Sequence, residues 1–388
     1  MEQGMITVSH RKPISGDTIF NALKEEKTIV MAANVRMTRG VAKGIMRAAS
    51  DTDSAVIFEL ARSESDLSGG YTGMRPEDYF REITDVAHDV DHDIYTVHAD
   101  HISIKKGDED DLGRTKELIE AQIRAGYTSF AVDASHLFDF HGGNLREELA
   151  DNIRCTTEIA HFIRDNIGDR TFGLEVEVGE IGKTDRSGRV LTSPAEAVEF
   201  LTALKENDVH PNLLAIANGS AHGNTLDENG NVIPQVSVDI PQTRAVAKAI
   251  SDAGFDVRIA QHGITGTPRE LINLHFPKGD ILKGNVGTHW QNIFYDVVKI
   301  YNHDLFERMK EWTVEKYRSK TPDATDEYIF KKNCKQAFKP FFRETHSLGP
   351  ETEAAMEAMA YSEALLYFRS FSSEGTAASV RKYMEGGN

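Results

Sequence analysis

Residues 173–218, GLEVEVGEIGKTDRSGRVLTSPAEAVEFLTALKENDVHPNLLAIAN, contain one complete strand–helix–strand unit. Two short apolar runs, 173–179 and 212–218, are bounded by glycine or polar residues, as parallel strands buried on both faces usually are. Between them, Ser193 and Pro194 suit the N-cap and the first turn of a helix, and helical periodicity continues to Glu206. This order of elements predicts a parallel βαβ crossover.

The same alternation continues in both directions from this unit. Six further apolar runs are separated by helix-period segments: TIVMAAN (28–34), SAVIFELA (54–61), DIYTVHAD (93–100), TSFAVDA (128–134), DVRIAQ (256–261) and DILKGN (280–285). Eight strands that alternate with helices predict an α/β fold of the (β/α)8 TIM-barrel class rather than an open doubly wound sheet. Because the pattern becomes mostly helical near residue 300, we expect a barrel domain over 1–300 and a C-terminal helical extension over 301–388 that belongs to the same unit.

The amino-acid composition excludes some kinds of binding partner. The chain has 388 residues, and 44 Lys+Arg against 61 Asp+Glu give a net charge of −17. Such a surface repels polyanions, so we expect no nucleic acid partner, and the lack of an apolar run of ~20 residues predicts no membrane partner. The only cysteines, Cys155 and Cys334, make a disulfide framework or a cysteine metal site unexpected. The N-terminus carries no signal-peptide pattern, which predicts a cytoplasmic protein.

Three histidines follow three different predicted strands. His101 ends the motif His-Ala-Asp-His after the third strand, His222 follows the sixth, and His262 follows the seventh. In a TIM barrel the carboxyl ends of the strands meet at one face, and three imidazoles form a common catalytic zinc set. Asp100 would lie at the same mouth, where a carboxylate suits general acid/base work on a hydroxyl. Any one of these histidines alone would have an ordinary role, but their joint placement favours a metal site.

Two glutamates and three glycine loops complete the pattern. Glu175 and Glu177 lie on one face of the fifth strand, and such a pair needs a cation or hydrogen-bond donors. A second metal position and a salt bridge to an inner lysine or arginine both remain open for them. Glycine-bearing loops at 219–223, 262–266 and 283–288 include the loops after strands 7 and 8, where barrels often bind phosphate. These residues predict a metal-dependent barrel enzyme that acts on a phosphorylated, hydroxylated small molecule.

These motifs together resemble the class II, zinc-dependent fructose-bisphosphate aldolases. The matching segments occur in family order between about residues 28 and 290: HADH (98–101), GYTSFAVDASH (126–136), LEVEVG (174–179), SPAEAVEF (193–200), GSAHG (219–223), HGITG (262–266) and KGNVGT (283–288). The resemblance implies a carbon–carbon lyase that reversibly cleaves a ketose bisphosphate, fructose 1,6-bisphosphate above all. The expected products are dihydroxyacetone phosphate and an aldehyde such as glyceraldehyde 3-phosphate, formed through a zinc-stabilised enediolate.

The resemblance also implies roles for single residues. The implied metal ligands are His101, His222 and His262, with Glu177 and Asp139 at an alternative metal position. Asp100 would take the proton of the C4 hydroxyl, Asn285 and Asn34 would hydrogen-bond the substrate, and Asp185 would be the proton donor of a mobile loop. The implied substrate and phosphate contacts are Gly223, Gly263, Thr265, Gly266, Lys283, Gly287 and Thr288. The expected cofactor is zinc (Zn2+), with another divalent metal as its substitute and a monovalent cation as an additional ion. The expected partners are a phosphorylated ketose and further copies of the chain in a homodimer or homotetramer.

The sequence departs from the family at several positions. Gly287 stands where the family often has an aspartate, and no basic residue follows Gly223 closely. A partner subunit's arginine often binds the second phosphate in the family, and Lys335, Lys339 and Arg343 are the candidates here.

Two alternative functions therefore stay open. A zinc-dependent epimerase or isomerase of sugar phosphates or sugar acids would explain the missing phosphate-binding features. A non-catalytic aldolase subunit is suggested by GGYTGM (69–74), which resembles a motif in accessory subunits of tagatose-bisphosphate aldolases.

Overall fold

The computed structural model describes residues 12–36, 39–179, 184–185, 188–221, 223–227 and 230–386. Within these ranges eight parallel strands close into a barrel in which each strand pairs with its neighbours in the sequence, and the last pairs with the first. The strands are Val30–Ala33 (β1), Val56–Ala61 (β2), Tyr95–Ser103 (β3), Ser129–Asp133 (β4), Gly173–Val178 (β5), Leu213–Ile216 (β6), Arg258–Gln261 (β7) and Ile281–Val286 (β8). The predicted (β/α)8 TIM barrel is confirmed.

One helix precedes the first strand, and further helices follow the strands around the outside of the barrel. They are Gly16–Leu23 (α1), Arg39–Asp51 (α2), Pro76–Val90 (α3), Glu109–Ala125 (α4), Leu145–Glu148 (α5), Ala150–Asn166 (α6), Pro194–Glu206 (α7), Ile240–Asp252 (α8), Arg269–His275 (α9) and Thr288–Tyr301 (α10). Five more α-helices follow in the described part of the C-terminal region: His303–Tyr317 (α11), Asp326–Asn333 (α12), Phe342–Thr345 (α13), Pro350–Phe371 (α14) and Thr376–Gly386 (α15). None of the helices in the described ranges combines the length and the apolar character that crossing a membrane requires.

Short elements occupy the connections. Two antiparallel hairpins, Thr184–Asp185 with Gly188–Arg189 and Thr225–Leu226 with Val232–Ile233, follow β5 and β6. Three 3₁₀ turns lie at Ser135–Leu137, Arg318–Lys320 and Cys334–Ala337.

The local sequence explains where α7 begins. Ser193 is its N-cap: its side chain accepts a hydrogen bond from the Glu196 N–H, and the Glu196 carboxylate accepts one from the Ser193 N–H. This reciprocal pair satisfies two of the N–H groups that every helix start leaves without a partner. Pro194 fits the first turn because its missing N–H would have had no helical acceptor there.

The amino end of the barrel is closed by α1. The N–H of Ile14 donates to the Tyr95 carbonyl, and the N–H of Gly16 donates to the Thr128 carbonyl, which attaches the segment to the starts of β3 and β4. An apolar cluster then joins α1, α15 and the inward face of the strands: Ile19, Phe20, Leu23, Val30, Ala32, Ala55, Ile57, Ile94, Leu213, Ala215, Ala260, Leu282, Ala377 and Val380. The opening of the barrel is therefore at the carboxyl ends of the strands.

The long helix α14 packs against α2 at very short range. Gly40 and Gly44 of α2 allow this approach, since a Cβ on Gly44 would lie 2.3 Å from the Glu357 carbonyl oxygen. The N–H of Gly40 also donates to the Glu353 carboxylate at 2.6 Å. Through α14 the C-terminal region covers the outer side of the barrel next to β1.

Candidate active site

A cavity of about 750 Å3 opens at the carboxyl ends of the strands, where TIM-barrel enzymes place their active sites. Most of the residues predicted for the site line it: Asn34, Asp100, His101, Glu177, Gly223, His262, Gly263, Thr265, Asn285, Gly287 and Thr288. They come from the ends of six of the eight strands, or from the loops that follow, and so converge only when the barrel closes.

A bulge in β3 delivers both Asp100 and His101 to this cavity. Ala99 pairs with Phe130 and Ile102 with Val132, so β3 carries one residue more than β4 over this stretch. His101 has a φ of 39°, a left-handed conformation that a residue with a side chain rarely adopts. In a regular strand adjacent side chains point to opposite faces, and the bulge is what allows both to line one cavity.

His101 and His262 face each other across the cavity. The Nε2 atom of His101 lies 2.7 Å from Nδ1 of His262, and one ligand atom from each lies within 4.8 Å of an Asp100 oxygen. On its other side, His101 Nδ1 lies 3.1 Å from Glu177 and 3.5 Å from Asp133. Two imidazole nitrogens and several carboxylates around one space are a donor set that suits a divalent cation such as zinc. The third predicted ligand, His222, lies outside the described residues.

Asp133, rather than Asp139, is the aspartate that lies beside His101 and Glu177. His101, Asp133 and Glu177 place their ligand atoms within 4.8 Å of one another. Asp139 is exposed, and its carboxylate accepts the N–H of His141 at 2.9 Å within its own loop. The structure therefore does not bring Asp139 to the alternative metal position that the sequence suggested, because the chain turns away after Ser135–Leu137.

The pKa values of the clustered side chains are shifted because several carboxylates lie close together. Burial and the neighbouring Asp133 raise the pKa of Glu177 to about 8. Burial acts against the charged form of His101, but Asp100 and Glu177 outweigh it and raise its pKa well above the usual value. The pKa of Asp100 is lowered despite burial, because His101 and Lys283 stabilise its anion. This electrostatic setting favours a cation between the side chains.

A buried lysine lies beneath the cluster of histidines and carboxylates. Lys283 is fully buried, and its Nζ atom contacts Glu59 at 2.8 Å, Glu175 at 2.9 Å and Asp100 at 3.7 Å. A bulge puts it there, since β8 carries an extra residue against β7 between Ile281 and Lys283. The expected role of Lys283 in binding phosphate is therefore not supported, because its charge is already surrounded by carboxylates inside the barrel.

The strand-five glutamates divide between the two roles that the sequence left open. Glu175 forms the salt bridge to the inner lysine and also lies 2.7 Å from His262 Nε2, which orients that imidazole. Glu177 instead lies beside His101 in the cluster of histidines and carboxylates.

Asp100 is held by two asparagine side chains. The amide of Asn34 donates to one carboxylate oxygen at 3.1 Å, and the amide of Asn285 donates to the other at 3.2 Å. Within the described part of the chain, the buried side-chain oxygen of Asn285 has no hydrogen-bond partner. Asp100 thus presents an ionised, fixed carboxylate to whatever the cavity holds.

The glycine loops occupy the side of the cavity next to β7 and β8. Gly223 and Gly263 have φ values of 83° and 69°, and a Cβ on Gly263 would lie 2.5 Å from the Ala221 carbonyl oxygen. The Thr265 hydroxyl accepts the N–H of Gly287 at 3.3 Å and so joins the loops after β7 and β8. Gly266, which was predicted to contact substrate, does not line the cavity, and its carbonyl accepts the Gln235 N–H at 2.8 Å.

The backbone of Asp185 lies in the hairpin after β5, and its side chain is outside the described part of the structure. The proton-donor role suggested for Asp185 therefore stays a prediction.

Sequence reasoning missed most of the cations in the cavity. Besides histidines, six lysines and arginines of the described ranges line it: Arg36, Arg62, Lys105, Lys106, Arg114 and Lys335. Of these only Lys335 was a candidate, whereas Lys339 donates to the Ser68 carbonyl and does not line the cavity. Arg343 does not line it either. The available signal was that Arg36, Arg62 and Lys105 all follow barrel strands closely, as Asn34 does.

Comparison with known proteins agrees with this architecture. The sequence profile described as fructose-bisphosphate aldolase class-II matches residues 14–348. The plasmid fructose-bisphosphate aldolase of Cupriavidus necator is 26% identical over 262 residues, which are 64% of this chain and 67% of that protein. A fructose-bisphosphate aldolase of Helicobacter pylori is 31% identical over 218 residues, which are 50% of this chain and 62% of that protein.

Solved structures show the same fold. The fructose-bisphosphate aldolase of Campylobacter jejuni superposes with a TM-score of 0.61 at 18% identity, covering 95% of this chain and 98% of the other. The YdjI aldolase of Escherichia coli gives a TM-score of 0.58 at 19% identity, covering 94% and 99%. With the profile spanning most of its length, the chain belongs to the class-II fructose-bisphosphate aldolase family and is an aldolase, a lyase of carbon–carbon bonds.

Proposed function

We propose that this aldolase is zinc-dependent and reversibly cleaves a ketose bisphosphate, with fructose 1,6-bisphosphate as the first candidate. The products would be dihydroxyacetone phosphate and an aldehyde such as glyceraldehyde 3-phosphate. The observation that supports this best is the placement of Asp100, held by Asn34 and Asn285, beside the facing imidazoles of His101 and His262. The reaction belongs to glycolysis and gluconeogenesis, and we propose that the chain performs it in the cytoplasm as a homodimer or homotetramer.

Each residue would have a distinct role in cleavage. A zinc ion held by His101 and His262 would polarise the ketose carbonyl as a Lewis acid. Asp100, ionised because its pKa is lowered, would take the proton of the C4 hydroxyl. As the C3–C4 bond breaks, C4 becomes the aldehyde carbon and the electron pair of the bond stays with the three-carbon part. Asn285 would hydrogen-bond that part, and Asp185 would return a proton to it.

The charge distribution in the cavity supports a substrate with two anionic ends. Arg36 and Lys335 lie on the β8–β1 side, whereas Arg62, Lys105 and Arg114 lie over the ends of β2 and β3. Among the described residues, the lysines and arginines that line the cavity equal its aspartates and glutamates in number, so the cavity is less acidic than the protein as a whole, which has a net charge of −17.

The acidic neighbours of the β2–β3 cations are already engaged. One carboxylate oxygen of Asp111 accepts the N–H groups of Lys105 and Lys106 at 2.8 Å each. The other oxygen lies 3.9 Å from Arg62, whose guanidinium donates to the Ser103 carbonyl at 2.7 Å. The side chains of Lys105, Lys106 and Arg114 are exposed to the cavity and, among the described residues, form no ion pair at the distances of a salt bridge. They would therefore be available to the distal phosphate of a bisphosphate.

A panel of ketose mono- and bisphosphates, assayed for triose formation, tests the proposal. We expect cleavage of fructose 1,6-bisphosphate that chelation abolishes and added zinc restores. His262→Ala should abolish it, while His275→Ala, which changes an exposed histidine of α9, should leave it intact. Purified protein that binds no divalent metal, or keeps full activity after chelation, would contradict the proposal. Formation of an epimeric sugar phosphate without triose would assign the epimerase alternative instead.

A further inference from the structure

Arg36 is a largely buried cation on the β8–β1 side of the cavity that the family motifs do not account for. It lies two residues after Asn34, and only 11% of its side chain is exposed. Its Nε atom lies 2.6 Å from the Glu64 carboxylate. Burial opposes its charge, but Glu64 outweighs this effect and raises the pKa of the guanidinium above its ordinary value. Arg36 is therefore a permanent positive charge inside the site.

The carboxylate that pairs with this guanidinium is itself held in place by hydrogen bonds. The Glu64 carboxylate that holds it accepts the Tyr71 hydroxyl at 2.8 Å and the Ala61 N–H at 2.9 Å. Asn34, which also orients Asp100, donates to Glu64 at 3.3 Å. A charged group whose partner is itself anchored is preorganised, so little conformational entropy is lost when a ligand binds to it.

Gly287, which lies directly before α10, leaves space for the guanidinium. Arg36 donates to the Thr288 hydroxyl at 3.4 Å and to Gln291 at 3.2 Å, both on this helix. A Cβ on Gly287 would lie 2.6 Å from a terminal nitrogen of Arg36, which is closer than real Cβ atoms approach other groups. A side chain at position 287 would therefore displace the guanidinium. The departure from the family at Gly287 and the presence of Arg36 are thus one structural feature.

The surroundings of Arg36 are those of an anion site. The hydroxyls of Thr265 and Thr288 and the backbone of Gly223 line the same cavity. Lys335 lines it too, and its pKa is lowered by burial and by repulsion from Arg36. Two cations that repel each other at the mouth of one cavity favour an anion between them. The first turn of α10 contains no acidic residue, so its N–H groups also favour negative charge.

We propose that Arg36 is a specificity-determining residue that binds the phosphate monoester of the three-carbon part of the substrate, and that Gly287 is required because the guanidinium occupies its side-chain space. This inference rests on the proposed function for the identity of the substrate, but not for the recognition of phosphate. The inference places a phosphate-binding cation between β1 and α10 of the same chain. The family motifs place such a cation in other segments or do not include one. Arg36 is thereby coupled to the catalytic carboxylate through Asn34.

Binding measurements on the full-length, zinc-loaded protein test the inference. Isothermal titration calorimetry would use dihydroxyacetone phosphate and inorganic phosphate as probes, with unphosphorylated dihydroxyacetone as the neutral counterpart. Arg36→Met should weaken binding of both phosphates by about 10- to 100-fold, because a charge-assisted hydrogen bond contributes that much, and should leave dihydroxyacetone unaffected. Lys248→Met, which removes an exposed charge from α8, is the matched control and should change nothing.

Gly287→Ala tests the same contact without leaving Glu64 unpaired, which matters if Arg36→Met fails to fold. We expect it to weaken phosphate binding, and we expect the double variant with Arg36→Met to show no further loss, because the two changes remove one interaction. Equal weakening of dihydroxyacetone and its phosphate, or full additivity of the two substitutions, would overturn the inference. Phosphate binding that depends on Arg36 in a protein without triose-forming activity would leave the inference standing and refute the proposed function alone.

Discussion

The two ends of the barrel are built from the same strands but contain opposite kinds of side chain. At the amino end, Phe20 and Leu23 of α1 enter an apolar cluster and are at most 1% exposed. At the carboxyl end, Asp100, Glu175 and Lys283 are at most 3% exposed, yet all three are ionisable. These side chains are buried to a similar degree at both ends, although only the carboxyl end opens into the cavity, and the ends differ in the kind of side chain that is buried.

This difference separates stability from function within one fold. Burial of apolar surface stabilises a protein by about 25 cal/mol per Å2, whereas burial of a charge costs free energy unless it is paired. The amino end should therefore stabilise the fold without affecting the reaction at the active site. The carboxyl end should tolerate its buried charges only because each is paired, and the pairing is what prepares the site. Substitutions at the two ends should accordingly change different observables.

Asp100→Asn should produce the largest effect, and on activity alone. The amide cannot accept the C4 proton, so cleavage should fall by about 10⁴-fold, the upper range for a general base, which corresponds to about 5.5 kcal/mol of activation free energy. Metal content, measured by elemental analysis, and the melting temperature should stay close to those of the unchanged protein. Asp89→Asn, at an exposed ion pair with Arg39, is the control for loss of one negative charge. A fall in activity that tracks a loss of metal would contradict the assignment of Asp100 as the base.

Lys283→Met should change stability at the carboxyl end. It leaves Glu59 and Glu175 buried without their cation, and loss of one partner of a buried ion pair costs about 3–5 kcal/mol. Urea denaturation measures the effect. Adding Glu59→Leu to Lys283→Met should recover part of the loss, because it removes one of the unpaired carboxylates. Lys278→Met, in the segment just before β8, should cost less than about 0.5 kcal/mol. A single variant that unfolds no more easily than that control would show that the buried pair is not required.

Phe20→Ala should destabilise the amino end without affecting the chemistry. The ring is 1% exposed and packs against the start of β5, where a Cβ on Gly173 would lie 2.7 Å from it. Deleting such a side chain costs about 3–4 kcal/mol through lost burial and the cavity that remains. Activity of the folded fraction at 25 °C should be unchanged. Thr18→Ala on the same helix is the matched control, and a selective loss of turnover in Phe20→Ala would show that the two ends are coupled.

Local patterns predicted the barrel but not the directions of its functional side chains. The eight strands and the start of α7 follow from hydrophobic runs and from the Ser193-Pro194 cap, which depend on neighbouring residues only. The bulge that turns His101 into the cavity depends on the register between two strands, which no local pattern encodes.

The same limit explains the residues that were misplaced. Lys283 seemed to end a strand near phosphate, yet an extra residue in β8 turns it into the barrel. Asp139 matched a motif, yet the chain turns away and Asp133 occupies the position beside His101. Arg36 was missed because its role depends on Glu64 and Gly287, which are distant in the sequence and meet only in the folded chain.

Arg381→Met should have the smallest effect on the free energy of unfolding, and this effect should depend on pH. Arg381 of α15 donates to both carboxylate oxygens of Asp93, at 2.9 and 2.6 Å, and to Asp53 at 2.7 Å, which ties the last helix to the amino end of the barrel. The groups are partly exposed, so the variant should lose only about 1 kcal/mol in urea denaturation. Lys382→Met, one residue further along, is the control for charge.

The sign of the pH effect follows from Asp93. Its hydrogen bond from Arg381 lowers the pKa of the folded-state carboxyl below the usual value of about 4. The stabilisation is therefore complete above pH about 4 and is lost as the pH falls through the lower folded-state pKa. The difference between the unchanged protein and Arg381→Met should thus be constant from pH 5 to 7 and should shrink below pH 4. A difference that stayed the same on acidification would mean that the effect of Arg381 does not come from its pairing with the Asp93 carboxylate.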